Sequence, residues 1–277
     1  MNIQYTFNDN QFEKMRLLVL QYTGISVSDS KRDLVYNRFA KRMRTLGLGS
    51  FDEYFNYLSE YEDNEIEHFS NAITTNLTYF FREQHHFQIL EEKIIPILKS
   101  KVSKRIRIWS AGCSTGEEPY SIAMTLHRVI PNLKNWDVKI LATDLDSIAL
   151  KKAKSGVYVE GQLKNITEQM KNDWFQPCNV GNDSNEIEVI PSIKSLITFN
   201  YLNLMHDWPM AGPFDVIFCR NVVIYFDKDT QRELFIKFSK LQNDDAFMIM
   251  GHSENLSKIT DDYKHIGQTA YQKVNHD

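Results

Sequence analysis

The stretch 106–119 reads Ile-Arg-Ile-Trp-Ser-Ala-Gly-Cys-Ser-Thr-Gly-Glu-Glu-Pro, and it is the most informative segment for the fold class. An apolar run typical of a β-strand enters a turn with glycines at positions 112 and 116, and a helical pattern begins at Tyr120. In parallel α/β sheets, a glycine-bearing turn between the first strand and its helix is where nucleotide-like ligands bind. Two such glycines also suit a simple tight turn, so both interpretations stay open.

The residues around this turn are unsuited to phosphate. The turn lacks the Gly-Lys-Ser/Thr sequence of phosphate-binding loops, and Glu117 and Glu118 would repel a phosphate group. The next apolar run, 138–143, ends at Asp144, where a carboxylate can accept hydrogen bonds from both hydroxyls of a ribose. Capping the following helix is the alternative role for Asp144, and Asp146 could perform it equally well. Together, the glycine turn and the strand-tip acid favour an adenosine ligand without phosphates.

Apolar runs of β type alternate with helical patterns beyond residue 76. The runs cover residues 105–109, 138–143, 214–219 and 246–250. This alternation predicts an α/β fold with a mostly parallel sheet covered by helices. A polar, turn-rich stretch interrupts it between about 157 and 200 and contains the short runs 186–190 and 196–199. We expect a small antiparallel β subdomain inserted there.

Residues 7–75 show helical patterns and no strand signal, which predicts an all-α amino-terminal domain. In the helix expected over 31–46, the apolar side chains fall on one side at helical spacing; they are Val35, Phe39, Met43 and Leu46. A neighbouring stripe is basic and consists of Lys31, Arg38, Lys41 and Arg42. One face of this helix is therefore core and the other is basic.

The bulk composition narrows the function classes. The 277 residues carry a formal net charge of -4 and a pI near 6.1, which argues against nucleic-acid binding. The three cysteines show no C-x-x-C spacing, so a reducing compartment is the simpler interpretation. The start lacks a signal-peptide pattern and no apolar run reaches about 18 residues. We expect a cytoplasmic chain without membrane insertion.

Histidines offer no clear metal-binding pattern. His85 and His86 are adjacent, and adjacent positions on a helix point about 100° apart. No carboxylate–histidine spacing completes a site with them or with His68. We expect structural histidines and no bound metal.

The run 214–219 leads directly into Arg220 and Asn221. These two side chains are expected at the carboxyl edge of the sheet, beside the adenosine ligand. No prolines follow Asn221, unlike the Asn-Pro-Pro-Tyr type of motif in methyltransferases that act on base amino groups. A nucleic-acid substrate is therefore disfavoured.

Four segments are long enough to suggest a family. They are TNLTYFFRE at 75–83, WSA and STGEEPYSIA within 109–123, CRN and YFD within 219–227, and GHSEN at 251–255. In this order they closely resemble CheR, the family of chemotaxis receptor glutamate O-methyltransferases. The likeness covers nearly the whole chain. The GHSEN segment lacks the G-x-S-x-G pattern of a serine nucleophile, so it is interpreted as a ligand-proximal or structural turn.

The resemblance implies a fold, an activity and partners. The fold would be a Rossmann-like S-adenosylmethionine-dependent methyltransferase domain with an inserted antiparallel β subdomain, preceded by the all-α domain. The expected divisions are 1–74 for receptor recognition, 75–84 as a linker to the cofactor site, and 85–277 for the methyltransferase domain, with the β subdomain at about 157–200. The enzyme would methylate glutamate side chains of chemoreceptor cytoplasmic helical domains, producing S-adenosylhomocysteine, and would act as a monomer. A non-catalytic cofactor-binding scaffold and a nucleic-acid methyltransferase are the competing hypotheses.

The resemblance also assigns residues. S-adenosylmethionine would contact Asn76, Thr78, Arg82, Glu118, Asp144, Asn203, Leu204, Arg220 and Asn221. Arg82 and Tyr225 would lie nearest the transferring methyl group. Tyr225 would orient the attacking carboxylate or pack beside the adenosine, and Arg82 would pair with the carboxylate of the cofactor or of the substrate.

The basic stripe, with Lys31, Arg38, Lys41 and Arg42, would face the receptor; a solvated helix surface is its alternative interpretation. In some family members the β subdomain also docks a peptide at the receptor's carboxyl terminus. The loop 179–185 has a single glycine, Gly181, and lacks the closely spaced glycine pair expected for that docking.

Overall fold

The computed structural model describes residues 4–178 and 185–274. Its helices are α1 (Asp9–Thr23), α2 (Arg32–Leu46), α3 (Phe51–Glu60), α4 (Glu62–Ile73), α5 (His85–Ile89), α6 (Ile95–Lys99), α7 (Glu117–Val129), α8 (Ser147–Ser155), α9 (Glu168–Trp174), α10 (Pro191–Lys194) and α11 (Lys228–Lys240). Its strands are β1 (Arg105–Ala111), β2 (Asp137–Asp144), β3 (Val157–Val159), β4 (Phe175–Pro177), β5 (Glu186–Val189), β6 (Ile197–Tyr201), β7 (Phe214–Cys219), β8 (Gln242–Met250), β9 (Tyr263–Gly267) and β10 (Ala270–Lys273). Within the described ranges, no helix has both the length and the apolar character needed to cross a membrane.

Helices α1 to α4 pack around one core. The capping box of Asn8 and Gln11 starts α1, and the hydroxyl of Ser50 accepts the N–H of Glu53 at the start of α3. The expected apolar face of α2 is buried, with Val35 fully inside this core. The predicted all-α domain is therefore present.

A buried ion pair links α2 to α4 within this domain. Nε and Nη2 of Arg42 donate to the carboxylate of Glu65 at 2.9 and 2.5 Å, and Glu65 is only 1% exposed. The hydroxyl of Tyr54 donates to the same carboxylate at 2.9 Å. The fork of Arg42 and the phenol of Tyr54 thus satisfy a charge that water cannot reach.

The large sheet has the strand order β6-β2-β1-β7-β8-β10-β9. The first five of these strands are parallel, β10 runs antiparallel to β8, and β9 runs antiparallel to β10. The predicted mostly parallel α/β sheet is confirmed. Because parallel strands share a direction, the ends of β1, β2, β6 and β7 meet at one edge. The register places Ala111 beside Thr143 there.

Side chains of β1 alternate between two cores. Ile106 and Ile108 pack with the helix α7 side, and Trp109 packs with Phe235 and Phe238 of α11 on the opposite side. Helices therefore cover both faces of the sheet.

The small sheet has the order β3-β5-β4 and is antiparallel throughout. The inserted antiparallel subdomain is thus present, but one of its expected runs lies elsewhere. Residues 197–201 form β6, which pairs in parallel with β2 at the edge of the large sheet. An isolated short apolar run does not reveal its pairing partner, since β2 and a hairpin neighbour would require the same pattern.

The buried pair between α2 and α4 makes a stability prediction. Arg42→Met keeps most of the apolar stem but leaves Glu65 charged and buried, so the free energy of unfolding should fall by about 3–5 kcal/mol. Urea denaturation at neutral pH measures this. Arg44→Met, at an exposed position of the same helix, should change it by no more than about 0.5 kcal/mol. A negligible loss in Arg42→Met would contradict a stabilising role for the pair.

Candidate active site

A pocket opens at the carboxyl edge of β1, β2, β6 and β7. The loop after α1 and the linker after α4 close its other sides. It is lined by all nine residues expected to contact the cofactor, together with Tyr225 and Lys31. The structure therefore gathers side chains from positions 31 to 225 at one site.

The glycine turn approaches the loop after β7 closely. Gly112 has φ of +90°, and a Cβ atom at this position would lie 2.3 Å from Cγ2 of Val222. The N–H groups of Gly112 and Cys113 donate to the carbonyl of Thr143 at 2.8 and 2.9 Å. The stretch is thus a tight turn, as one interpretation expected, and it also lines the pocket.

Asp144 and Asp146 have different roles. Asp146 caps α8, since its Oδ1 accepts the N–H groups of Ile148 and Ala149 at 2.9 Å each. Asp144 lines the pocket, where its carboxylate accepts N–H groups from Ser114 at 2.7 Å and from Asp146 at 2.8 Å. Burial raises the pKa of Asp144 to about 6, although these hydrogen bonds favour the charged form.

Glu118 and Arg220 form a buried ion pair. Nη1 of Arg220 donates to Oε2 of Glu118 at 2.9 Å, and Oε1 of Glu118 accepts the hydroxyl of Ser110 at 2.7 Å. Arg220 also donates to the carbonyl of Arg82 and lies 3.4 Å from Glu83. The end of β7, the start of α7 and the linker are joined by this one guanidinium.

Sequence reasoning missed the role of Glu254. Its buried carboxylate accepts four backbone N–H groups, at 2.7 Å from Gly251, 2.9 Å from Asn221, 3.0 Å from Val222 and 3.3 Å from Ile224. Burial raises the pKa of Glu254, while the four hydrogen bonds oppose this shift. The GHSEN segment is therefore a structural turn that holds the loop after β7. Its position next to a strand end was the available signal.

Glu83 was also missed. Burial alone would raise the pKa of Glu83, but the hydrogen bond from His252, at 2.8 Å, and the charge of Arg220 hold it at about 2. The carboxylate thus connects the linker to the turn after β8. Only its place next to Arg82 in the TNLTYFFRE segment marked it in the sequence.

The carboxylate of Glu83 also belongs to a cluster of potential metal ligands. The spacing of the histidines in the sequence did not reveal this cluster. Ligand atoms of Glu83, His85 and His86 lie within 4.8 Å of one another. The Glu83 carboxylate, however, is hydrogen-bonded to His252 and lies beside the guanidinium of Arg220. The positive charge of Arg220 would repel a metal cation. These three residues therefore suit a structural hydrogen-bond network between the linker and the turn after β8 better than a metal centre.

The helical domain forms one wall of the pocket. Nδ2 of Asn203 donates to the carbonyl of Tyr22 at 2.8 Å, and the carbonyl of Tyr225 accepts the N–H of Ser26 at 2.8 Å. The ammonium of Lys31 lies 5.9 Å from the centroid of the Tyr225 ring. Residues of α1 and of the segment between α1 and α2 therefore contact Asn203 and Tyr225 in the pocket wall.

The linker forms another wall. Arg82 reaches back so that its Nη1 donates to the carbonyl of Leu77 at 2.6 Å, and its guanidinium lies 6.0 Å from the Tyr79 ring centroid. Nδ2 of Asn76 donates to Asp146 at 2.6 Å. Thr78 lines the same pocket.

The basic stripe of α2 divides into two kinds of residue. Lys31 and Lys41 are exposed. The guanidinium of Arg38 donates hydrogen bonds to backbone carbonyls at the end of α4, and that of Arg42 donates to the carboxylate of Glu65. The structure thus presents two of the four cations freely to solvent and uses the guanidinium groups of the other two in contacts within the chain.

The residues fit an adenosine-bearing sulfonium. Gly112 has no Cβ and so lets the turn pack closely against Val222 in the pocket wall. The desolvated Asp144 carboxylate gains from hydroxyl donors, and Glu117 and Glu118 disfavour phosphate. This sheet order with its antiparallel β10, together with this site, defines an S-adenosylmethionine-dependent methyltransferase.

Comparison with known families specifies the class. Residues 76–272 match the family described as "CheR methyltransferase, SAM binding domain", and residues 10–74 match "CheR methyltransferase, all-alpha domain". The chain belongs to the CheR methyltransferase family, as the sequence motifs indicated.

Curated relatives align over nearly the full chain. The chemotaxis protein methyltransferase of Escherichia coli K12 is 41% identical over 274 residues, covering 98% of this chain and 93% of its own length. Chemotaxis protein methyltransferase 2 of Pseudomonas aeruginosa is 41% identical over 273 residues, covering 98% and 95%. A probable chemotaxis protein methyltransferase of Rhizobium etli is 40% identical over 259 residues, covering 92% and 96%.

The raised pKa of Asp144 predicts pH-dependent cofactor binding. Ribose hydroxyls donate to the carboxylate but not to both oxygens of the protonated acid, so affinity for S-adenosylhomocysteine should fall as pH drops below about 6. The expected slope approaches about tenfold per pH unit. Calorimetric titrations between pH 5 and 8, about the range over which this group changes charge, measure it. Asp144→Asn should bind at least about tenfold more weakly at pH 8 and show no such slope; a slope retained in this variant would assign the titration to another group.

Proposed function

We propose that the protein transfers the methyl group of S-adenosylmethionine to glutamate side chains of chemoreceptors, forming glutamate methyl esters and S-adenosylhomocysteine. The observation that carries the proposal is the pocket itself. One part of the pocket, around Asp144, suits an adenosine. Tyr225, Lys31 and Arg82 line the same pocket and provide a phenol and two cations. These groups suit an incoming carboxylate.

The substrate needs little activation. A glutamate with a pKa near 4.3 is ionised at neutral pH, so no general base is required. Bound S-adenosylmethionine supplies the electrophilic methyl. The protein's task is to hold the carboxylate in line with that methyl and to exclude water, and positioning of this kind supplies roughly 7–11 kcal/mol.

Tyr225 and Arg82 perform this positioning in our proposal. The Tyr225 phenol donates to the attacking carboxylate, and the backbone that carries it is anchored because the Tyr225 carbonyl accepts the N–H of Ser26. Arg82 pairs with a carboxylate through its fork, either at the methionine end of the cofactor or on the substrate. The remaining cofactor contacts are those of the other eight expected residues, all of which line the pocket.

The partner in the proposal is the cytoplasmic helical domain of a receptor, met by the basic stripe of α2. Lys31 and Lys41 make the direct contacts, because they are the exposed members of the stripe. Each methyl ester removes one negative charge from the receptor helices and weakens repulsion between them. The protein would act in the cytoplasm as a monomer and without nucleic acid. Docking of a receptor tail peptide depends on residues 179–184, including Gly181, which lie outside the described residues.

Transfer of labelled methyl groups tests the activity. Wild-type protein with labelled S-adenosylmethionine and a receptor cytoplasmic fragment should give receptor-bound label that alkali releases, as expected of an ester. A fragment with glutamine in place of its methylatable glutamates should stay unlabelled. Base-stable label, or label on both fragments, would contradict glutamate esterification.

Charge reversal tests the receptor surface. Lys41→Glu should raise the KM for the receptor fragment severalfold, most strongly at low salt, because the exposed charge repels acidic helices. Lys134→Glu makes the same charge change at an exposed position just before β2, away from the pocket edge, and should not. Steady-state kinetics at two salt concentrations measure both. If both substitutions raised the KM equally, the change would reflect the overall charge of the protein and would contradict a specific receptor contact at Lys41.

A further inference from the structure

Arg38 points from α2 toward the end of α4. Its Nη1 donates to the carbonyls of Ala72 at 3.2 Å and Ile73 at 2.7 Å, and also to that of Thr74. Its Nη2 donates to Oγ1 of Thr75 at 3.0 Å. The last carbonyls of a helix lack partners within the helix, and a cation there complements the helix dipole. The guanidinium therefore holds both the last turn of α4 and the start of the linker.

The linker is then joined to the methyltransferase domain by Asp146. Oδ2 of Asp146 accepts the hydroxyl of Thr74 at 2.7 Å and the amide of Asn76 at 2.6 Å. The other oxygen of this carboxylate caps α8. Asp146 is only 3% exposed, so water competes little for these hydrogen bonds.

Asn76 extends the connection to the glycine turn. Its Oδ1 accepts the hydroxyl of Ser114 at 3.4 Å, and the N–H of Ser114 donates to Asp144 at 2.7 Å. A continuous set of contacts thus runs from Arg38 to the carboxylate assigned to the ribose. The segment that Arg38 holds leads directly to Asn76 and Thr78 in the pocket wall.

We propose that Arg38 is a positioning residue for the cofactor site: it fixes residues 72–75 so that Asn76 keeps its place in the pocket wall. This inference rests on the proposed S-adenosylmethionine site but needs no receptor. Arg38 then acts through the linker and not through receptor contact. Arginine is required because its planar fork serves several acceptors at once, whereas the single ammonium of lysine does not reproduce that geometry.

The test is calorimetric binding of S-adenosylhomocysteine to the full chain without receptor. Arg38→Gln should weaken binding about tenfold, and Arg38→Lys should recover part of that loss. Thr75→Val removes one contact of Arg38 while leaving the charge of α2 unchanged, and it should weaken binding by a smaller factor. Arg44→Gln, the same substitution at an exposed position of α2, should bind like wild type.

Kinetics separate positioning from general destabilisation. The KM for S-adenosylmethionine should rise in Arg38→Gln and in Thr75→Val, while the KM for the receptor fragment stays unchanged in Thr75→Val. If Arg38→Gln does not fold, the affinity of Thr75→Val tests the proposal instead, because a substitution at the exposed Thr75 should leave the fold intact. Wild-type affinity in these variants, or an equal loss in Arg44→Gln, overturns the inference. Failure of wild-type protein to bind overturns the proposed cofactor site as well.

Discussion

The buried guanidinium of Arg220 is the interaction on which the site depends. It is 5% exposed and holds Glu118 at the start of α7, the carbonyl of Arg82 in the linker and, at 3.4 Å, the carboxylate of Glu83. Charges removed from water must be compensated, because an unpaired buried charge costs several kcal/mol. Since its partners belong to the start of α7 and to the linker, pairing this one cation fixes both segments against the end of β7. The pairing thus holds the start of α7 and the linker wall of the pocket in place.

The two halves of the chain share a single site. The helical domain contributes backbone partners for Asn203 and Tyr225, and the linker between the halves is bonded to Asp146. The basic stripe includes Lys31, which is exposed and lines the pocket, and Arg38, which donates to Thr75 in the linker. Residues of one stripe therefore contact both the pocket and the linker.

Two carboxylates near the pocket have pKa values that their surroundings shift in opposite directions. Desolvation raises the pKa of Asp144 to about 6, so at neutral pH the carboxylate is still mostly ionised and can accept hydroxyl donors. The pKa of Glu83 is about 2 despite burial, because His252 and Arg220 stabilise its charge. The first carboxylate is suited to ligand contact and the second to structural pairing. Neither is placed as a general base, in keeping with a substrate that is already ionised at neutral pH.

Local patterns in the sequence determined the elements, because periodicity, caps and glycine turns act over a few residues. The β1 turn, the strand-tip Asp144, the buried face of α2 and the long motifs were all recognisable, and they indicated the α/β class and the family. The pairing of β6 with β2, the N–H groups gathered by Glu254 and the partners of Arg38 and Arg42 were decided only by the tertiary structure. Each of these depends on contacts between residues distant in the chain, such as Asn221 and Glu254, which are 33 positions apart. A basic stripe looks the same in the sequence whether its side chains meet solvent, a helix end or a buried glutamate, since only packing determines which acceptors lie within reach.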